Sequence, residues 1–396
     1  MPDRTNELVC RVLDRFRIEI PSWGFANTGT RFGKFIQEGA ATSIEEKFAD
    51  AAQVHALTGC APTLALHVQW DFEDGVHSAG DIARLATKYG VQPGSINPNL
   101  FQDQEYKYGS LGNVDPAVRN RAQAHLADSV EIGKRLNSRD VSLWFADGTN
   151  FPGSGNIRQR KRWFSDALRE LHAQLSDTQR LLIEYKPFEP AFYHTDIADW
   201  GMALLLARSA GPRSKVLVDT GHHYQSQNIE QIVAWLLDEN MLGGFHFNDR
   251  RYADDDLTIG SIDPYQVFRI FHEILHFEWE TGQRADLAYM IDQSHNLKAK
   301  VEAMIQTVAT AQELHAKAAL VDYQALAAFQ ATSDILAAEE CLKAAFATDV
   351  RPALREWRRS KGLPEDPLAA YRESGYQQRI EGERRARNRS FATSYA

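Results

Sequence analysis

The regular alternation of short apolar runs with longer helical patterns constrains this fold more than any other feature of the chain. Eight runs are apolar and rich in β-branched residues, which predicts buried strands. They span residues 16–22, 63–68, 91–97, 141–145, 181–185, 216–219, 242–248 and 287–292. Helical patterns lie between them at 45–57, 81–89, 116–136, 158–175, 197–207, 229–239 and 265–280. Repeated strand–helix units predict an α/β fold, a parallel sheet with helices outside.

Two architectures fit this alternation: a closed (β/α)₈ barrel and an open doubly wound sheet. No Gly-x-Gly-x-x-Gly follows the first run, and no Walker-type phosphate loop occurs. Polar residues instead end many of the strands, which is how a TIM barrel builds its active face. We therefore predict a (β/α)₈ barrel over residues 1–296.

From residue 297 onward the chain changes to helical patterns without a strand, at 297–318, 323–329, 333–347 and 350–361. We predict a C-terminal helical extension over residues 297–396. Its apolar faces need burial, and a neighbouring subunit is the expected cover. Arginines interleaved with glutamates at 379–389 indicate either a solvated helix or a frayed end.

Composition excludes some partners. The 396 residues carry a net charge of −9 and no basic cluster before Arg379, so no nucleic-acid partner is expected. No apolar stretch approaches the length of a membrane span, so no membrane association is expected. The N-terminus lacks a signal-peptide pattern, and Cys10, Cys60 and Cys341 are widely spaced. A cytoplasmic location is the expectation.

The later strands end in residues that can hold a metal. A carboxylate and an imidazole three positions apart at a strand end, such as Asp219 and His222, can share one divalent ion. Several acids at one mouth repel, and two bound divalent ions would relieve this repulsion. The candidate ligands are Glu184, Asp219, His222, His246, Asp254, Asp256 and Asp292.

The spacing divides these ligands into two sites that share Asp219. One site adds Glu184, His246 and Asp292, and the other adds His222, Asp254 and Asp256. Oxygen and imidazole ligands favour Mn²⁺, Co²⁺ or Mg²⁺ over a thiolate-type zinc site. Any single one of these residues is more often a helix cap or an ordinary buried histidine, so the prediction rests on the set.

The earlier strand ends carry aromatic residues instead. Trp23, His67, Trp70 and Trp144 either cap the core or form a wall for a sugar, whose C–H faces pack on aromatic rings. Lys186 lies on the same strand face as Glu184. It forms a structural ion pair or holds a substrate oxygen.

The chain resembles the L-rhamnose isomerases, in particular their short branch with broad aldose specificity, within the xylose isomerase-like barrel superfamily. The matching segments are residues 20–24, 106–111, 189–193, 218–223, 243–249 and 290–296. The resemblance implies a barrel, a homotetramer, a small-molecule sugar substrate and two divalent ions per subunit, with Mn²⁺ first. It assigns the seven metal ligands as above. Tyr185 departs from the family, where a histidine is expected, but its side chain should point away from the mouth.

The resemblance also assigns roles around the ions. Lys186, His67, Trp70, Trp144 and Ser294 fall on the family's substrate-contact positions. Beside what the resemblance assigns, we expect Lys186, His67, His222 and Asp292 to be catalytic and Trp23 to be a further substrate contact. The implied reaction is the reversible isomerisation of L-rhamnose to L-rhamnulose by a metal-assisted hydride shift, with related aldoses also accepted. A cis-enediol route is the rival within this reaction.

Three other functions remain open from the residues. A ketose 3-epimerase needs one ion flanked by two opposed acidic bases. A two-metal phosphoester hydrolase needs phosphate-binding arginines or a Gly-rich helix start at the mouth. A sugar-binding protein without catalysis would not need five acids around two ions.

Overall fold

The computed structural model describes residues 2–30, 33–73, 75–189 and 193–390. Its centre is an eight-stranded sheet in which each strand pairs in parallel with the next strand along the chain. In chain order the strands are β1 (Ile20–Pro21), β2 (Thr63–His67), β3 (Gln92–Asn97), β4 (Asp140–Leu143), β5 (Arg180–Glu184), β6 (Ser214–Asp219), β7 (Leu242–Phe247) and β8 (Ala288–Ile291).

The sheet closes on itself next to β1. Glu19 forms a parallel bridge with Met290. The Glu19 amide donates to the Tyr289 carbonyl at 2.8 Å, and the Ile291 amide donates to the Glu19 carbonyl at 2.9 Å. The (β/α)₈ barrel prediction is confirmed, and each of the eight predicted runs overlaps a strand.

Helices surround this barrel and continue beyond it. Those of ten or more residues up to β8 are α1 (Pro2–Leu13), α2 (Ile44–Thr58), α3 (Ala79–Tyr89), α4 (Pro116–Leu136), α5 (Ile157–His172), α6 (Trp200–Ala210), α7 (Ile229–Asp238) and α8 (Pro264–Thr281). A short helix, Val68–Asp71, directly follows β2. The C-terminal helices are α9 (Lys300–Ala318), α10 (Tyr323–Ala331), α11 (Ile335–Ala347), α12 (Arg351–Ser360), α13 (Pro367–Glu373) and α14 (Tyr376–Ser390). None of the described helices is long and apolar enough to cross a membrane.

The sequence patterns missed several short elements and the helix α1. Two antiparallel ribbons, Gly29–Thr30 with Gly33–Lys34 and Phe188–Glu189 with Tyr193–His194, are too short to show an alternating pattern. Residues 190–192, part of one segment that carried the family resemblance, lie outside the described residues.

Side-chain layers inside the barrel determine the height of the functional site. Leu182, Leu217 and Met290 form a small buried cluster inside the barrel. Side chains two residues apart on a strand point to the same side. Two positions after each of these three residues lie Glu184, Asp219 and Asp292, so the acidic layer lies directly above an apolar layer at the carboxyl ends of the strands.

The C-terminal arginine-rich segment is a helix with one buried face. Arg384 in α14 is 2% exposed and pairs with the buried Asp50 of α2 at 2.8 Å. Residues 379–389 are therefore helical, as the first of the two predicted alternatives has it. The helix is not fully solvated, because Arg384 and Asn388 are buried. The division of the chain at residue 297 stays a prediction.

We expect acid to destabilise this protein through His315. The ring packs between Phe16 and Phe271, at centroid distances of 4.8 and 5.1 Å. Burial, followed by the nearby Arg15 and Arg284, lowers the pKa of His315 to about 3. Below about pH 6.5 the unfolded chain binds a proton at this position that the folded chain does not, so stability falls as pH falls.

Between about pH 7 and pH 5 this single group should cost roughly 2 kcal/mol of unfolding free energy. Urea denaturation of the protein and of the His315→Leu variant at both pH values measures the effect. The variant should lose correspondingly less stability over this interval. Equal losses in the two proteins would show that His315 does not carry the effect.

Candidate active site and metal centre

The carboxyl ends of β5 to β8 bring a first group of metal-ligand side chains together. The Nδ1 atom of His246 lies 3.1 Å from Oε2 of Glu184, 3.7 Å from Oδ2 of Asp292 and 3.9 Å from Oδ2 of Asp219. One ligand atom from each of the four residues lies within 4.8 Å of the others. This is the composition predicted for the first site.

A second group shares Asp219 with the first. The Nε2 atom of His222 lies 3.9 Å from Oδ2 of Asp219 and 3.4 Å from Oδ1 of Asp254. These three residues also offer ligand atoms within 4.8 Å of one another. Asp256, predicted for this site, lies outside the close group but lines the same cavity. Its backbone has a φ of 47°, which sharply turns the acidic loop at this residue.

The unpaired polar atoms of these groups fit a bound cation. Glu184 Oε1, Asp219 Oδ2, His246 Nδ1 and Asp254 Oδ1 are buried, and the contacts that they make within the two groups do not have hydrogen-bond geometry. The other oxygen of Asp219, Oδ1, accepts from the Gly221 amide at 2.7 Å and from Asn248 Nδ2 at 3.0 Å. Buried polar atoms without partners are costly, and a divalent ion bound by oxygen and imidazole ligands would satisfy them. The chain therefore has two groups of side chains that could hold a divalent ion.

Burial and the neighbouring charges shift the pKa values of the ligand side chains in opposite directions. Burial raises the pKa of Asp219, His222 opposes this, and Glu184 and other nearby carboxylates raise it further, to about 7. Burial lowers the pKa of His246, but the adjacent Glu184 outweighs this and raises it to about 9. Burial acts against ionised Glu184, but His246 and His222 outweigh it and lower its pKa. The site thus holds extra positive charge as protons, a role that cations can take over.

A cavity of about 380 Å³ opens directly above the two ligand groups. The His67 and Trp70 rings stack at a centroid distance of 3.5 Å, and Trp23 meets Trp70 edge-on at 6.3 Å. The Trp23 indole donates to Asp292 Oδ1 at 2.8 Å, which joins the aromatic wall to the first ligand group. All four residues of the predicted aromatic wall line this cavity, namely Trp23, His67, Trp70 and Trp144.

Lys186 and Ser294 also line the cavity. The Lys186 ammonium donates to Asp254 Oδ2 at 2.7 Å and lies 5.1 Å from the centre of the Trp144 ring. Lys186 therefore lies between the second ligand group and the aromatic wall. Ser294 Oγ is 2.8 Å from Thr28 Oγ1 at the rim. The Tyr185 side chain turns away as expected, and its hydroxyl lies 2.6 Å from His223 Nε2.

Seven residues that line the cavity had no predicted role: Thr28, Asn97, Pro98, Phe101, Ser142, Asp255 and Asn296. Ser142 precedes Trp144 by two positions, so both side chains face the interior of the barrel. Its hydroxyl and the Trp144 indole N–H are buried without a partner. The strand period could have identified Ser142, whereas Phe101 lies in a loop that carries no such signal. Together these groups form a polar and aromatic side opposite the ligand groups.

Comparisons with known proteins agree with the barrel. The model of the xylose isomerase-like TIM barrel family matches residues 62–285. A protein of Rhizobium meliloti (strain 1021) named "Probable sugar isomerase" is 41% identical over 376 residues, which are 94% of this chain and 87% of that protein. A protein of the same name from Mesorhizobium japonicum is 40% identical over 379 residues, with the same two shares.

Among solved structures, D-psicose 3-epimerase in the presence of D-fructose aligns with a TM-score of 0.53 at 12% identity. The alignment covers 76% of this chain and 96% of the epimerase. At this identity the likeness shows the fold alone. The family match and the two relatives together show that the chain belongs to the xylose isomerase-like TIM barrel family.

Proposed function

We propose that this protein is a metal-dependent sugar isomerase that converts L-rhamnose to L-rhamnulose and accepts related aldoses. The observation that carries the proposal is the pair of ligand groups sharing Asp219 beneath a sugar-sized cavity with an aromatic wall. Two relatives are named as sugar isomerases, which supports the same class of reaction. Mn²⁺ is the ion we expect, with Co²⁺ or Mg²⁺ as alternatives, and a homotetramer is the expected assembly.

The proposed ligands divide between two ions. Glu184, Asp219, His246 and Asp292 would hold one ion, and Asp219, His222 and Asp254 the other, with Asp256 as a further candidate for the second. When bound, such ions stabilise negative charge that develops on the sugar oxygens. Asp219 is fully buried and belongs to both groups, so it would serve as a ligand at both sites.

The chain's own residues then orient the open-chain sugar. The hydrogen leaves C2 as hydride and joins C1, while a proton passes from O2 to O1. The C1 aldehyde thereby becomes an alcohol and the C2 alcohol becomes a ketone. Lys186 is positioned to donate to O1 from beside the second group. Burial lowers the pKa of His67 well below its usual range, so its ring is neutral and can accept from a sugar hydroxyl during ring opening. The indoles of Trp70 and Trp144 would pack on the carbon chain and exclude water.

A ketose-formation assay over a panel of aldoses, with EDTA or with added Mn²⁺, tests this function. We expect L-rhamnose among the best substrates, loss of activity in EDTA and recovery with Mn²⁺. Chromatography of the products distinguishes an isomerase from a 3-epimerase, which would interconvert two ketoses. Absence of aldose–ketose conversion for every sugar in the panel, with Mn²⁺ present, would overturn the proposal.

Isotope exchange distinguishes the two routes for hydrogen transfer. A hydride shift retains the C2 hydrogen on the product, because that hydrogen never exchanges with water. The cis-enediol route passes it to a side-chain base, where it exchanges. In D₂O we therefore expect little deuterium at C1 of the ketose, measured by NMR. Substantial incorporation would favour the enediol route without removing the isomerase function.

Ser142 should contribute to sugar affinity. Its buried hydroxyl has no protein partner and faces the cavity, so a sugar hydroxyl can pair with it. Ser142→Ala should raise KM for L-rhamnose by about 3- to 10-fold, the effect of one hydrogen bond. The matched control is Ser165→Ala, which removes another buried, unpaired hydroxyl, on α5, away from the cavity. Equal effects of the two substitutions on KM would count against a role for Ser142 in sugar binding.

A further inference from the structure

The C-terminal helix α14 contacts the chain segment that borders the cavity. Asn388 is 1% exposed, and its amide Nδ2 donates to the carbonyls of Glu38 and Ala40, both at 2.9 Å. Its Oδ1 accepts from the Asn27 amide at 2.9 Å. One buried side chain thus bonds to residue 27 and to residues 38 and 40.

This segment is connected to the opposite side of the cavity rim. Asn27 and Gln37 bond to each other twice: the Gln37 backbone amide donates to Asn27 Oδ1 at 2.9 Å, and Asn27 Nδ2 donates to the Gln37 carbonyl at 3.1 Å. The Gln37 side chain donates to the carbonyl of His295 at 3.0 Å. The next residue after Asn27 is Thr28, whose hydroxyl meets that of Ser294, the residue before His295. Asn388 is therefore linked, through Asn27 and Gln37, to the chain positions next to Thr28 and Ser294, which line the cavity at its rim.

A second buried contact anchors α14 to the barrel. Arg384 donates to the Gly39 carbonyl at 2.8 Å and forms hydrogen bonds with both oxygens of Asp50, which is fully buried. A buried charge pair with these additional hydrogen bonds resists separation, because either partner alone would remain buried and uncompensated. The exposed pairs of Arg385 and Arg389 with Glu38 contribute little by comparison. The position of Asn388 is thus set by the fold of the barrel.

We propose that Asn388 is a positioning residue that holds Thr28 against Ser294 and so sets the affinity of the cavity for the outer part of the sugar. This inference rests on the proposed isomerase function. Thr28 and Ser294 lie at the rim, whereas hydrogen transfer would occur beside the ligand groups near Asp219. Contacts made equally in the bound state and the transition state change KM and leave kcat unchanged. Loss of Asn388 should therefore appear in KM.

Two substitutions of Asn388 test the proposal. Asn388→Asp keeps the acceptor for Asn27 but removes both donated bonds and places a carboxylate against two carbonyls, and Asn388→Ala removes all three bonds. For either variant we expect KM for L-rhamnose to rise about ten-fold, the effect of one to two lost hydrogen bonds. kcat and the increase in Tm caused by Mn²⁺ should be unchanged. Arg389→Ala, one residue away, is the matched control and should keep the wild-type KM.

Hydrogen exchange gives a readout that does not depend on turnover. In both Asn388 variants the backbone amides of residues 26–30 and 36–41 should exchange faster, while those of β5 to β8 keep the wild-type rate. Unchanged exchange in this segment overturns the proposal, whether or not the wild-type protein converts any aldose. A wild-type protein that converts no aldose would instead remove the isomerase function. Two further results also overturn the proposal. One is an unchanged KM in active variants, and the other is a kcat that falls only because less of the variant protein is folded.

Discussion

Asp219→Asn should abolish isomerase activity and most of the response of the protein to Mn²⁺. The carboxylate belongs to both ligand groups, so its loss weakens two ion sites at once. We expect kcat/KM to fall by at least about 1,000-fold, because the charge stabilisation supplied by both ions is lost together. At about 100 times its Kd, an ion that binds only the folded state adds about 2.7 kcal/mol to the unfolding free energy. Differential scanning fluorimetry should show that Mn²⁺ no longer raises Tm.

The metal-free form of this variant gives an independent check. The oxygen of the introduced side-chain amide can still accept from the Gly221 backbone amide, and the substitution removes one of several mutually repelling charges. The Tm in EDTA should therefore equal or exceed that of the wild-type protein. Asp166→Asn is the control, since Asp166 lies exposed on α5 and belongs neither to a ligand group nor to the cavity lining. A variant Asp219→Asn with normal activity, or one that is unfolded in EDTA, would contradict this account.

Lys186→Met should separate chemistry from metal binding. The Lys186 ammonium contacts Asp254 but offers no lone pair to a metal while it is charged, so its removal leaves both ligand groups complete. We expect kcat to fall by about 100- to 1,000-fold, the usual effect of removing one donor to a charge that develops in the transition state. The increase in Tm caused by Mn²⁺ should remain. Steady-state kinetics and calorimetric titration with Mn²⁺ measure the two effects separately.

Lys186→Arg distinguishes charge from geometry at the same position. A planar guanidinium keeps the charge but cannot place a single compact donor where the ammonium lies, so we expect only partial activity. Lys161→Met, on the outer surface of α5, should behave as the wild-type protein. If Lys186→Met removes the Mn²⁺ response as well, Lys186 acts by holding Asp254 in place and not by contact with substrate.

Much of this molecule could be predicted from local sequence. The eight strands appear as apolar runs, and the strand period places Glu184, Asp219 and Asp292 one layer above Leu182, Leu217 and Met290. Because parallel strands end at the same face of a barrel, these acids had to meet. The structure brings six of the seven predicted ligands into two close groups that share Asp219, and leaves Asp256 outside them.

Features that depend on contacts between distant parts of the chain could not be predicted. The position of Asp256 depends on a backbone turn with positive φ inside the acidic loop, which the sequence pattern does not specify. The composition of α14 predicts that its arginines are exposed. Arg384 is nevertheless buried, because Asp50, more than 300 residues earlier, provides a buried partner. Asn388 likewise gains its role only through tertiary contact with residues 27–40.

Crystals grown with Mn²⁺ and measured at the manganese absorption edge would show whether Asp219 is shared by two ions. We expect two anomalous peaks per subunit, with Asp219 contacting both ions, His246 contacting one ion and His222 the other. Peaks that lie away from these residues, or an empty site between Glu184 and Asp219 at saturating Mn²⁺, would contradict this expectation.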